Sequence, residues 1–116
     1  MQIGKGGIPM TLEQLTNKVY NKLKDKDFAD KQGRMLAIQV NLTGKIGGVF
    51  YIEMLNGVLS VMPYEYNDRD AVISVTMTNF DKILSGKLSP NTAYATGKLK
   101  IEGNIDKVLL LAELLK

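Results

Sequence analysis

The stretch that decides the fold occupies residues 80–116. It begins Phe80-Asp81-Lys82-Ile83-Leu84-Ser85-Gly86-Lys87-Leu88-Ser89-Pro90, continues through Gly97-Lys98-Leu99-Lys100-Ile101-Glu102-Gly103-Asn104 and ends in a leucine-rich run. The spacing of its apolar residues changes from helical to strand-like and back, and a glycine or proline marks each change. The pattern predicts helix, short helix, strand and helix. The last helix is more apolar than a small domain needs, and it carries no residue suited to catalysis. These two features favour a protein that encloses a ligand over an enzyme.

The final helix is predicted to be apolar around most of its circumference. At about 100° per residue, one side of it carries Ile105, Val108, Leu111, Ala112 and Leu115. In angle around the helix axis, Leu110 and Leu114 lie between Asp106 and Lys107, on the side that is predicted to be polar. So small a chain has little mass to enclose such a helix. We expect it to be covered by an apolar ligand, by a second copy of the chain or by a loop whose position the pattern does not predict correctly. The alternative is a terminal helix that is simply well buried.

The residues before this stretch predict one helix and four strands. Thr11 and Gln14 form a capping box for an amphipathic helix that runs to about residue 26. Period-two alternation predicts a half-buried strand over residues 35–42, a second strand over 49–55 and a fourth over 71–76. Asn56-Gly57 is typical of a type I′ hairpin turn, and it places Met54 opposite Leu59 and Ile52 opposite Val61.

Capping residues predict where the later helices begin and end. Thr78 or Asn79 caps the helix that Gly86 terminates, and Ser89 caps a short helix with Pro90 at its first position. Asn104 caps the final helix.

Composition limits the classes of protein that this chain can belong to. Its 116 residues suit one domain over residues 10–116, and residues 1–9, with three glycines and a proline, predict a flexible leader that need not be native. A net charge of +3 without a Lys/Arg block gives little support for nucleic acid. The absence of cysteine and histidine removes thiolate chemistry, the commonest metal ligand and the usual general base. We therefore expect a cytoplasmic protein that is not an enzyme and has no cofactor or metal.

Three smaller patterns each have a structural and a functional interpretation. Asp68 and Asp70 are predicted to lie in a solvated turn, with a cation site as the alternative. The aromatic residues Phe50, Phe80 and Tyr94 flank one layer between sheet and helices, either as core or as pocket wall. The exposed lysines at 98 and 100 face solvent or meet an anionic head group.

The order of these motifs resembles the sterol carrier protein type 2 family of lipid-transfer domains. The resemblance covers the chain from Met10 and is strongest in residues 83–90, in residues 92–104 and in the leucine-rich helix. It implies a five-stranded, mostly antiparallel sheet with helices on one face, and an apolar tunnel between them for fatty acid, fatty acyl-CoA or sterol-like lipids. Ala95 stands where eukaryotic members often have a bulky aromatic, which is expected to reshape the pocket, and the peroxisomal ending is absent. Both departures favour a stand-alone prokaryotic type.

The resemblance also implies which residues form the lipid site. They come from the stretch between residues 80 and 101 and from the final helix: Phe80, Ile83, Leu84, Leu88, Ala93, Tyr94, Leu99, Ile101, Val108, Leu111, Ala112 and Leu115. Phe50 and Ile52, which share one face of the predicted hairpin, are expected to complete the site. The expected partners are an apolar lipid and, transiently, a membrane surface, and the chain is expected to be a monomer or weak homodimer. The alternative function is a protein-protein interaction or dimerisation domain that uses Leu110 and Leu114.

Overall fold

A computed structural model describes residues 10–26, 34–45 and 47–116 of the chain. The predicted leader at residues 1–9 lies outside the described residues. Within the described part, no helix is long and apolar enough to cross a membrane.

The described chain forms four helices and five strands. In order they are α1 (Leu12–Leu23), β1 (Arg34–Thr43), β2 (Gly48–Leu55), β3 (Val58–Met62), β4 (Ala71–Thr76), α2 (Met77–Leu84), α3 (Pro90–Ala95), β5 (Leu99–Gly103) and α4 (Ile105–Leu114). The strands form one sheet in the order β3-β2-β1-β4-β5. Only the central pair, β1 with β4, is parallel. The predicted five-stranded, mostly antiparallel sheet is confirmed.

The core lies on the face of the sheet that the helices cover. The strand register brings Val40 beside Phe50 and Ile73, and these residues are all buried. The buried stripe of α1 and the inner residues of α2 and α4 join the same apolar cluster. At its centre the rings of Phe50 and Phe80 meet edge to face, with centroids 5.8 Å apart. The third aromatic of the predicted layer, Tyr94, is instead 51% exposed.

The β2–β3 hairpin has the predicted register. Asn56 and Gly57 both have positive φ, at 53° and 81°, as a type I′ turn requires. Met54 accordingly pairs with Leu59, and Ile52 pairs with Val61.

The central strand is more buried than its alternating pattern predicts. Ala37 and Gln39 face away from the helices, yet both are buried. The loop before β4 covers them, because Gln39 Oε1 accepts the Tyr66 N–H at 3.0 Å and Ala37 N–H donates to Asp70 Oδ2 at 2.7 Å. The prediction of a half-buried strand was therefore wrong at its centre, since sequence spacing does not show which loop folds back.

Polar residues of the same loop have defined contacts in the structure. The Tyr66 ring stacks on Tyr51 with centroids 4.6 Å apart, and its hydroxyl donates to Glu53. This hydrogen bond is the main cause that raises the pKa of Tyr66 above its ordinary value. Asp70 lies 3.9 Å from the Arg34 guanidinium. Asp70 thus binds a strand N–H and lies beside a guanidinium, which are structural contacts.

The observed N-cap residues are the predicted ones at three of the four helices in the described part of the chain. Thr11 and Gln14 form the predicted capping box, and Ser89 and Asn104 cap α3 and α4. The cap of α2 is Thr76, whose Oγ1 accepts the Asn79 N–H at 3.1 Å, so the prediction of Thr78 or Asn79 was wrong. Strand β4 passes directly into α2 at this residue, and no linker separates the two elements.

Candidate functional site

Helix α4 lies on the helix-covered face of the sheet, in contact with β1, β4 and β5. Asn104 Oδ1 accepts the N–H groups of Asp106 and Lys107 at 3.0 and 3.3 Å, which fixes the start of the helix. Lys107 Nζ then donates to the Met35 carbonyl at 2.5 Å. This contact turns the Lys107 side of the helix towards β1.

The orientation of α4 corrects the predicted polar face. Leu110 and Leu114 share the side of Lys107 and are half-buried against the core cluster. The exposed apolar residues are instead Ile105 and Leu109, at 44% and 51%. The prediction assumed that Lys107 points to water, but its ammonium binds a strand carbonyl and its stem packs inward.

An apolar groove of about 690 Å³ separates α4 from the segment that joins α2 to α3. One wall comes from the end of α2 and the start of α3, and the other comes from α4. The apolar lining residues are Ile83, Leu84, Leu88, Pro90, Leu109, Ala112 and Leu115.

A small recess against the sheet adjoins the groove. The recess has a volume of about 30 Å³. Its lining is wholly apolar: Ile73, Phe80, Ile83, Pro90, Leu99, Val108, Leu111, Ala112 and Leu115. Ile83, Pro90, Ala112 and Leu115 line both spaces, so the groove and the recess adjoin each other.

Six polar or charged residues line the groove, and all of them except Lys22 are exposed, so they mark its mouth, the side open to solvent. They are Lys22, Ser85, Ser89, Asn91, Glu113 and Lys116. Lys116 Nζ pairs with Glu113 Oε2 at 3.0 Å. The site therefore combines an apolar interior with a charged rim, an arrangement that can accept the chain of an amphiphile and leave its head group in water.

The structure brings many of the predicted site residues together. Those that line the groove or the recess are Phe80, Ile83, Leu84, Leu88, Leu99, Val108, Leu111, Ala112 and Leu115. Phe50, Ile52 and Ala93 are fully buried and line neither space, while Ile101 is half-buried outside both. Tyr94 and Ala95 are exposed and also lie outside the lining, so Ala95 does not shape this pocket.

Sequence reasoning missed three apolar lining residues, Ile73, Pro90 and Leu109. Pro90 was predicted only as a helix start, a role that it also has, and Ile73 is also part of the buried core. Leu109 did carry a signal, because Ile105, Leu109 and Ala112 recur at the spacing of one helix face.

Comparison with known proteins defines the class of this domain. The SCP-2 sterol transfer family matches residues 12–116, and the chain belongs to that family. It is 38% identical over 78 residues to mouse (Mus musculus) hydroxysteroid dehydrogenase-like protein 2, covering 66% of this chain and 16% of that protein. It is 30% identical over 100 residues to bovine (Bos taurus) sterol carrier protein 2, covering 84% of this chain and 18% of that protein. The chain thus spans less than a fifth of either relative.

A solved structure shows the same fold. Palmitated SCP2L2 from Aedes aegypti superposes with a TM-score of 0.71 at 20% identity, covering 91% of this chain and 95% of that chain.

Proposed function

We propose that this domain binds and transfers apolar lipids, with a single acyl chain lying in the groove and reaching the recess. The observation that carries the proposal is an apolar groove next to a wholly apolar recess at the sheet, with four lining residues common to both spaces. Family membership supports lipid transfer as the activity, and the palmitated Aedes aegypti protein supports a fatty acyl chain as the ligand.

Apolar burial alone gives such a site enough affinity. Each buried methylene contributes about 0.8 kcal/mol, so a dozen offer roughly 9 to 10 kcal/mol before the entropic cost of binding. A lining of side-chain methyl groups discriminates weakly between neighbouring chain lengths. The domain is accordingly expected to bind several lipids of similar width.

A bound chain must enlarge the recess, because about 30 Å³ holds little more than one water molecule. Helix α4 forms one wall of this space through Val108, Leu111 and Leu115. We expect α4 to move away from α3 as the chain enters, which would convert the groove into the predicted tunnel. Binding then selects a conformation that the free protein visits rarely.

The proposed role is non-catalytic and cytoplasmic. The sequence contains neither histidine nor cysteine, and the groove mouth offers one carboxylate that is already paired with a lysine. The alternative function, a dimerisation domain, was based on Leu110 and Leu114. Both residues pack against the chain's own core, which weakens that alternative.

A bulky substitution at the junction of the two spaces tests the proposal. Ala112 lines both the groove and the recess, whereas Ala95 is exposed on α3 outside either lining. Ala112→Phe is expected to weaken fatty-acid binding about tenfold or more, since an overfilled site loses the contacts that give affinity. Displacement of a fluorescent fatty acid measures the dissociation constant.

Ala95→Phe is the matched control and should bind as the wild type does. Circular dichroism and thermal unfolding check that both variants fold. Equal affinity of folded Ala112→Phe and wild type would overturn the proposed site. Failure of every fatty acid to displace the probe would overturn the proposed function.

A further inference from the structure

Each lysine in a row of three either lines the groove or binds a residue that lines it. Lys18, Lys22 and Lys26 are spaced four residues apart, two within α1 and the third just after its end. This spacing places them along one side of a helix.

The two outer lysines hold the walls of the groove. Lys18 Nζ binds Asp81 of α2 and donates to Ser85 Oγ at 3.0 Å. Lys26 Nζ donates to the Lys116 carbonyl at 3.0 Å, just past α4. The row therefore bridges from one wall to the other.

The middle lysine, Lys22, differs from its neighbours. It is half-buried and lines the groove. In residues 10–26, 34–45 and 47–116, the ion pairs found are those of Lys18 with Asp81, Arg34 with Asp70 and Lys116 with Glu113, so none neutralises Lys22. The other two charged lining residues, Glu113 and Lys116, neutralise each other. Among the described residues that line the groove, Lys22 is therefore the charged residue without an ion-pair partner.

We infer that Lys22 is a specificity-determining residue that binds the anionic head group of a single-chain lipid. This inference rests on the proposed function, since it concerns the same groove. With the acyl chain directed at the recess, the head group stays at the mouth among Lys22, Ser85, Ser89 and Asn91. An ammonium beside an anion gains a charge-assisted hydrogen bond, whereas a neutral alcohol head group gains only a weaker one. Carboxylate and phosphate share this chemistry.

Three probes of equal chain length test the inference: tetradecanoate, tetradecyl phosphate and tetradecanol. Binding is measured by displacement of a neutral fluorescent alkyl probe from the wild type, Lys22→Met, Lys22→Arg and Lys24→Met. Lys24 is the matched control because it is exposed at the end of the same helix and does not line the groove.

Wild type is expected to bind the two anions about three- to tenfold more tightly than the alcohol, as for a partly exposed charge pair. Lys22→Met should lose that preference while it keeps its affinity for the alcohol, and Lys22→Arg should retain it. Added salt should reduce the preference in the wild type. Lys24→Met should behave as the wild type does. The ratio of carboxylate to phosphate affinity then identifies which anion the site favours.

Equal binding of anions and alcohol by the wild type, or an unchanged preference in Lys22→Met, would overturn the role of Lys22 and leave the lipid site standing. Failure of all three probes to bind the folded wild type would instead contradict the proposed function itself.

Discussion

Gly103 ends β5 at a point where the neighbouring backbone leaves no room for a side chain. A Cβ there would lie 2.7 Å from the Asp70 carbonyl oxygen and 2.9 Å from Ala71 Cα. The residue also has a φ of +102°, which favours glycine. The next N–H, that of Asn104, donates to the same Asp70 carbonyl at 2.9 Å. This one glycine therefore sets how closely the start of α4 approaches β4.

Substitution of this glycine should destabilise the fold more than substitution of an unconstrained one. Gly103→Ala is expected to lower the free energy of unfolding by about 3 kcal/mol, from backbone strain and the clash together. Gly97→Ala is the control, because Gly97 also has positive φ but its Cβ would meet nothing within 4 Å. It should lose only about 1 kcal/mol. Urea unfolding of both variants measures the difference, and equal losses would contradict the assigned contact.

At the level of elements, α4 presents two different apolar surfaces. Leu111 is 2% exposed and faces the recess, whereas Leu109 is 51% exposed and faces the groove. The first surface holds the helix on the sheet and lines the recess, whereas the second is open to solvent along the groove. The two roles can be separated because the residues lie on different sides of one helix.

Alanine substitutions at these two leucines should therefore affect different properties, stability in one case and ligand binding in the other. Leu111→Ala is expected to cost about 2 to 5 kcal/mol of stability through the cavity it leaves. Leu109→Ala should change stability by less than about 0.5 kcal/mol but weaken fatty-acid binding several-fold through lost apolar contact. Thermal unfolding and probe displacement measure the two effects. A large stability loss in Leu109→Ala, with binding unaffected, would reverse the assignment of the two surfaces.

The elements also show what local sequence signals can and cannot predict. The hairpin turn, three caps and the strand pattern depend on neighbours in sequence, so they were predicted correctly. The orientation of α4 depends on a hydrogen bond from Lys107 to Met35, and the burial of Gln39 depends on the loop that carries Tyr66. Such distant contacts leave no periodic trace in the chain.

In the molecule as a whole, a central sheet supports a site at one side of the helical layer. Within the described residues, a lysine of α1 and a lysine just after it bind the two walls of the groove, while sheet residues line the adjoining recess. Nine of the fourteen residues predicted for the lipid site line the groove or the recess. The opening of the groove to solvent was not predictable, because it depends on the separation of α4 from the α2–α3 segment and not on residue type.

The most direct test of the central claim is an isotope-filtered NMR experiment on the protein with bound palmitate. The account predicts intermolecular contacts between the acyl methylenes and the methyl groups of Ile83, Ala112 and Leu115, the residues common to groove and recess. Contacts to the exposed hairpin residues Leu55, Val58 and Met62, with none to the groove residues, would contradict it.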